Sequence, residues 1–487
     1  MRLRNTIIVI VLLVLVGGYA LYLGHQPTPE KTPKLFKIAA ADIQRIELRS
    51  PSRDIVVDRA KDGTWRIIQP IDAPADRAAV DSMAGAVANL EIADTAEEHP
   101  ADLAPFGLAT PAVTVTVTTR DKRVLPAISV GKQTPIGSQA FIKAADKPAV
   151  MLVEAGFPTM VEKSINDLRS RALIALKPAD IRRIVIARGN GGVTLEMERK
   201  GDNWTIVKPT PYAADQVAVQ QFLDAVTAAQ VTEFTEDHPA DLSKYGITNP
   251  SLTVELYGGK NNAEESLRFG FNVPEAYKNA IYVRRGEGTD QPVCTVANMV
   301  FNSANKSLDD LRDKTLITLD QSQVGRIVIT GGPFNETLAR AAGGKWNITT
   351  AGKTAAAEVP VAESLLDQLH DLKGLKIVED PMTNAKRYGM EHPNLELAVY
   401  AKDGKPIGTV RVSQIEETIT AAGNAKPASQ YFGYAMNSAS SAVYQILPEK
   451  VTDLQNTANR LRTILAGTPT PSPSAAVTPQ PSGRPAQ

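Results

Sequence analysis

Only one cysteine, Cys294, occurs in the 487 residues. A single thiol excludes an intramolecular disulfide framework and a cysteine-rich metal site. It leaves the compartment open, because large domains fold without disulfides. Aromatic residues make up 5% of the chain, too few for extensive stacking platforms for bases or sugars. Net charge is lacking as well. The 53 basic residues are balanced by 53 acidic ones, without the cationic surplus on which nucleic-acid affinity depends. No G-x-S-x-G elbow, H-E-x-x-H pair, Walker loop or Rossmann glycine pattern is present. The Gly-Gly pairs at 191–192, 258–259, 331–332 and 343–344 fit hairpin turns.

What the sequence does hold begins with residues 6–23, TIIVIVLLVLVGGYALYL, which carry no charge. As a helix these residues span roughly 27 Å, near the thickness of a bilayer core. Arg2 and Arg4 precede them with no acidic residue. The positive-inside rule therefore expects residues 1–5 in the cytoplasm and the rest exported. Gly18 and Ala20 supply a weak small-x-small cleavage site. The apolar run continues past them through Leu21, Tyr22 and Leu23, which favours an uncleaved signal-anchor. Residues 24–34 read as a stiff, Pro-rich linker. At the other end, residues 467–487 are rich in Pro, Ser and Thr, with too little apolar area to fold.

Between these ends the chain repeats itself. Trp65, Trp204 and Trp346 head the segments WRIIQP, WTIVKP and WNITTA. Some 40 residues after each Trp comes an aromatic-Gly-x-x-x-Pro corner: Phe106, Gly107 and Pro111; Tyr245, Gly246 and Pro250; Tyr388, Gly389 and Pro393. A third signature opens each copy, DIQRIELR from Asp42, DIRRIVIA from Asp180 and QVGRIVIT from Gln323. A fourth closes the first two copies, with a looser version in the third. The modules are read as 35–174, 175–316 and 317–466.

Periodicity gives the coarse structure of one module. Ile43, Ile46 and Leu48 mark an opening strand. Ile55 and Val57 alternate with charged neighbours, and Asp62-Gly63 turns the chain into a Trp65 strand. Val80, Met83, Ala84, Val87 and Leu90 form the stripe of a helix packed on one face, with Asp76 as its N-cap. Copies two and three repeat the stripe with Val219, Phe222, Leu223 and Val226, and with Val361, Leu365, Leu366 and Leu369. Val113, Val115 and Val117 begin a second set of hairpins, and a closing helix runs through Met160, Ile165 and Leu168. The expected fold class is α+β: three tandem modules, each a mostly antiparallel sheet with two helices, behind one transmembrane helix.

Candidate chemistry is sparse. Each Trp reads as a core anchor, and each aromatic-Gly-Pro corner as a backbone requirement. His99 with Glu97 and Glu98, and His238 with Glu236 and Asp237, are small acidic-histidine clusters. Adjacent residues in an irregular segment seldom aim at one point, so they read as loop corners rather than metal sites. The third copy has no histidine there, and His370 and His392 fall at unrelated positions. Cys294 reads as a buried thiol on a strand. No catalytic, cofactor-binding or metal-binding residue is assigned, and no cofactor is expected.

The opening strand, the Trp hairpin, the helix and the aromatic-Gly-Pro corner together resemble a bacterial family known as a domain of unknown function, DUF4340. The best matches are Trp65 with Phe106, Gly107 and Pro111, and Trp204 with Tyr245, Gly246 and Pro250. Copy three lacks the Asp-Leu before its aromatic. The resemblance implies tandem modules behind one transmembrane helix, and genes beside those of ABC-type transporters; it supplies no catalytic residues. The expectation is therefore a non-catalytic, membrane-anchored envelope protein of the inner membrane. Its modules would be periplasmic and would present surfaces to other membrane or envelope proteins, ABC-transporter subunits among them. The alternative is an envelope protein that binds glycan or lipid in a cleft between modules.

Overall fold

A computed structural model describes residues 32–465 except 136, 190, 260, 275–278, 287, 289–290 and 420–427. The chain divides after Ala172 into two compact units. Each unit is built from the same element series.

In the first unit the strands are β1 (Ile43–Ser50), β2 (Arg53–Arg59), β3 (Trp65–Gln69), β4 (Ala73–Pro74), β5 (Asp94–Glu97), β6 (Val113–Thr119), β7 (Ile128–Gln133), β8 (Gln139–Ala144) and β9 (Val150–Glu154). They form one sheet in the order β4-β3-β2-β1-β6-β7-β8-β9-β5, and every paired neighbour is antiparallel. The alternation Val113, Val115, Val117 puts those side chains on one face. That face is covered by helix α1 (Arg77–Ala88), which buries Val80, Met83, Ala84 and Val87. Asp76 caps α1 by accepting from the Ala79 amide at 2.9 Å. Gly63, at φ +83, makes the turn between β2 and β3.

The closing helix is shorter and broken. It consists of α2 (Gly156–Val161) and α3 (Ile165–Leu168). The break has a local cause: Ser164 and Asp167 form a reciprocal capping box, which starts a new helix instead of continuing the old one.

The second unit holds two further sheets of nine strands with the same strand order. The second module comprises β10 (Ile181–Arg188), β11 (Leu195–Lys200), β12 (Asn203–Lys208), β13 (Tyr212–Ala213), α4 (Gln216–Thr227), β14 (Glu233–Glu236), β15 (Leu252–Gly258), β16 (Ala263–Asn272), β17 (Ala280–Arg285), β18 (Val293–Ala297), α5 (Asn298–Ala304) and α6 (Leu308–Leu311). The third comprises β19 (Val324–Gly331), β20 (Phe334–Arg340), β21 (Trp346–Thr350), β22 (Lys353–Ala357), α7 (Val359–His370), β23 (Lys376–Glu379), β24 (Leu395–Ala401), β25 (Pro406–Ile419), β26 (Ala428–Asn437), β27 (Val443–Ile446) and α8 (Pro448–Leu465). Here the closing helix is continuous over 18 residues and buries Val451, Leu454, Ala458 and Leu461. Three tandem antiparallel modules with flanking helices are thus present.

The membrane reading needs correction. The expected transmembrane helix, residues 6–23, lies outside the described residues, as does the tail 467–487. Among the described residues no helix is long and apolar enough to cross a membrane. The longest, α8, carries Glu449, Lys450, Asp453, Arg460 and Arg462. With no spanning helix among the described residues, the membrane anchor, the single-pass inner-membrane topology with periplasmic modules, and the docking to membrane or ABC-transporter partners are not carried forward.

Candidate functional site

The repeated residues turn out to form framework. Trp65, Trp204 and Trp346 are all buried, and each pairs across its hairpin with an arginine: Arg59, Arg199 and Arg340. The guanidinium lies 4.4 Å from the ring centroid in both the first and third copies, a cation–π contact. The corner aromatic packs edge-on against a second ring in every copy. Phe106–Phe141, Tyr245–Tyr282 and Tyr388–Tyr434 have centroids 5.1, 4.9 and 5.0 Å apart.

The corner glycines 107, 246 and 389 have φ of 70, 72 and 69°, the left-handed region where a side chain is strained. The chain then passes so close that a Cβ at Gly270 would sit 1.9 Å from the Tyr245 carbonyl oxygen. At the equivalent place in copy three, Ser413 instead donates its hydroxyl to the Tyr388 carbonyl.

The acidic-histidine corners separate by residue. Glu236 accepts from the Tyr245 hydroxyl at 2.5 Å and pairs with Lys244 at 2.8 Å. Lys244, with Tyr245, holds its carboxyl below the usual range. Among the described residues no group of three or more His, Cys, Asp or Glu is placed to hold a metal. Cys294 is buried on β18 among core residues.

Copy three's counterpart of the corner, Asp380, does something composition did not signal. Its carboxylate accepts from Arg312 at 2.6 Å, from the Tyr212 hydroxyl at 3.1 Å and from Ser441 at 3.1 Å. Arg312 and Tyr212 belong to the second module, and Asp380 and Ser441 to the third. This seam is occupied by an ion pair and a stacked ring. It is not an open cleft between modules.

A cleft does exist inside the first module. It has a volume of about 800 Å³, within the range that takes a small molecule. Ala86 and Asn89 at the end of α1 form one side, and Phe157 and Met160 of α2 the other. Leu90 and Phe157 are buried at its floor, while Met160 is 43% exposed at its rim. Ser138, Gln139 and Glu154 line the far side, at the adjacent ends of β8 and β9. The mouth is shaped by the segment around Thr32. Thr32 donates to Glu91, Lys34 donates to Asn89 at 2.7 Å, and the Leu35 amide donates to the Leu90 carbonyl at 2.8 Å. Two carboxylates, Glu91 and Glu154, therefore border an apolar wall, and no ion pair engages Glu154 among the described residues.

The apolar wall differs between the first two copies. Aligning the capping serines Ser164 and Ser307 puts Val300 at the place of Phe157 and Ser303 at that of Met160. Aligning the helix stripes puts Ala229 at the place of Leu90. Sequence reasoning missed the cleft because none of its residues is chemically unusual. Only the comparison of copies at these three positions signals it.

A family model described as "Domain of unknown function (DUF4340)" matches residues 65–205 and again 204–375, together more than half of the chain. Both matched segments start at a module tryptophan. No curated protein matches the chain.

Proposed function

We propose that this chain, which belongs to the DUF4340 family, is a binding protein without catalytic activity. Its first module takes a small molecule in the cleft between α1, α2 and the ends of β8 and β9. The observation that carries this reading is the wall of Leu90, Phe157 and Met160 set opposite Gln139 and Glu154. An apolar wall with a few placed polar groups is how small-molecule sites are built. The apolar side favours a flat or branched hydrocarbon body. The carboxylates of Glu91 and Glu154 favour a hydrogen-bond-donating or cationic end over an anionic one, since an added anion there meets like charge.

Glu91 and Glu154 are the titratable side chains that line the cleft, with no histidine, lysine or cysteine among its lining, which supports binding over chemistry. Copy two keeps the frame and has the smaller residues Val300, Ser303 and Ala229 at the wall. The reading is tested by titrating the full chain with an uncharged aromatic amine and repeating the titration after changing Met160.

A further inference from the structure

The third module carries a second cleft, of about 600 Å³, at the opposite kind of chemistry. Arg326, Arg340 and Lys402 line it, together with Gly325, Gly344 and Gly404. Arg326 lies over the Tyr400 ring at 4.2 Å and makes no hydrogen bond to another described residue. Arg340 is anchored more firmly. It lies over Trp346, and its Nε and Nη2 donate to the carbonyls of Val324 and Gln321, each at 3.0 Å. Its remaining nitrogen has no hydrogen-bond partner of its own among the described residues. No carboxylate forms an ion pair with any of the three cations among the described residues.

Two of these positions are neutralised in the first module. There Arg45 is bonded through two nitrogens to Asp58, both at 2.6 Å. Arg59 pairs with Asp81 at 3.1 Å, and Asp81 also accepts from Trp65 Nε1 at 2.8 Å. In the second module Arg183 is held by Glu196 at 2.6 Å. In the third, the residue paired across the strands with Arg326 is Ala339, where the first module pairs Arg45 with Asp58. The helix position of Asp81 is Glu363, which is exposed and does not reach the ring: Trp346 Nε1 is buried without a hydrogen-bond partner. Gly325 stands where the first module has Gln44, whose side chain donates to the Arg59 carbonyl. The change to Ala339 removes a carboxylate, and Gly325 lets the Lys402 backbone approach so closely that a Cβ there would lie 2.7 Å from the Lys402 Cα. Added Cβ atoms at Gly344 and Gly404 would meet nothing within 4 Å. Of the neighbouring acidic groups, Asp320 is bonded by Ser322 at 2.6 Å and also feels the charge of Lys402, and Asp403 pairs with Lys405 at 2.8 Å.

We propose that this cleft binds a phosphoryl-type oxyanion, with Arg326 and Arg340 seated on the rings of Tyr400 and Trp346 and Lys402 as the third cation. Guanidinium groups seated over aromatic rings keep their planar fork of N–H donors available to such an anion. This site is independent of the cleft in the first module.

The test is isothermal titration of the full chain at low ionic strength with inorganic phosphate and, separately, with glycerol phosphate. The first asks for free phosphate and the second for a phosphomonoester. Saturable one-to-one binding of either is expected. Arg326→Ala and Lys402→Ala, both at exposed positions, should each weaken it at least about tenfold, the loss expected for one charge-assisted contact. Ala339→Asp should abolish it by restoring the ion pair of the first module, with circular dichroism unchanged. No saturable binding of either ligand, or binding that survives Ala339→Asp in a folded protein, would overturn the proposal.

Discussion

Arg312 Nη1 lies 2.6 Å from an Asp380 carboxylate oxygen, and the guanidinium is stacked 3.6 Å from the centre of the Tyr212 ring. Their side chains are only 7% and 17% exposed. This pair joins the second module to the third, and removing one member strands the other in a nearly dry place. Asp380→Ala should therefore cost about 3 kcal/mol in urea unfolding. A double-mutant cycle with Arg312→Ala should show that the two losses do not add. The pH dependence has a definite sign. Burial pushes the Asp380 carboxyl up, but hydrogen bonds from Arg312 and Tyr212 overcome it and leave the group below its usual range. The contribution is therefore fully present above the unfolded value, about 3.9, and is lost as pH falls through the folded one. The stability gap between wild type and Asp380→Asn should close in that acid range.

The three tryptophans look equivalent in the sequence and are not equivalent in their bonds. Trp65 Nε1 donates to Asp81, while Trp346 Nε1 has no partner. Trp65→Phe should cost more than Trp346→Phe by about 1 kcal/mol, the net value of one hydrogen bond, as read from thermal unfolding of each variant. Equal losses would show that the Asp81 bond contributes nothing.

These contrasts mark what sequence alone can reach. The copy number followed from the spacing of Trp, the corner aromatic and its glycine, because those residues are fixed by packing and by left-handed backbone. The α1, α4 and α7 stripes were legible for the same reason. The edge strands β5, β14 and β23 were not: Asp94–Glu97 is exposed throughout and shows no alternation to find. The broken closing helix had a signal, Ser164 three residues before Asp167, that the apolar run masked. The cation-lined cleft was hidden because it depends on register. Only when Arg326 is seen opposite Ala339 does the missing carboxylate become visible.

Glu336 is a charged residue in a core position. It is 3% exposed and stands where the first two copies have Ile55 and Leu195, by strand register. Burial raises its carboxyl above the ordinary value, against the Asn335 amide and Arg462, which lower it. A raised carboxyl favours folding below the unfolded value, about 4.3, and that benefit is lost as pH rises through the folded one. Glu336→Leu should therefore stabilise the protein by about 1–2 kcal/mol at pH 8 and by less at pH 4. Denaturant titrations at the two pH values check this.

The most direct measurement on the proposed function is a fluorescence titration of the full chain with N-phenyl-1-naphthylamine, an uncharged aromatic with one N–H donor. The cleft of the first module predicts saturable binding at one site per chain. Met160→Asp, at a half-exposed rim position, should weaken it at least about tenfold, as expected for charge introduced beside an apolar ligand, while unfolding and phosphate binding stay unchanged. A linear, non-saturating response, or a titration that is the same in wild type and Met160→Asp, would contradict the account.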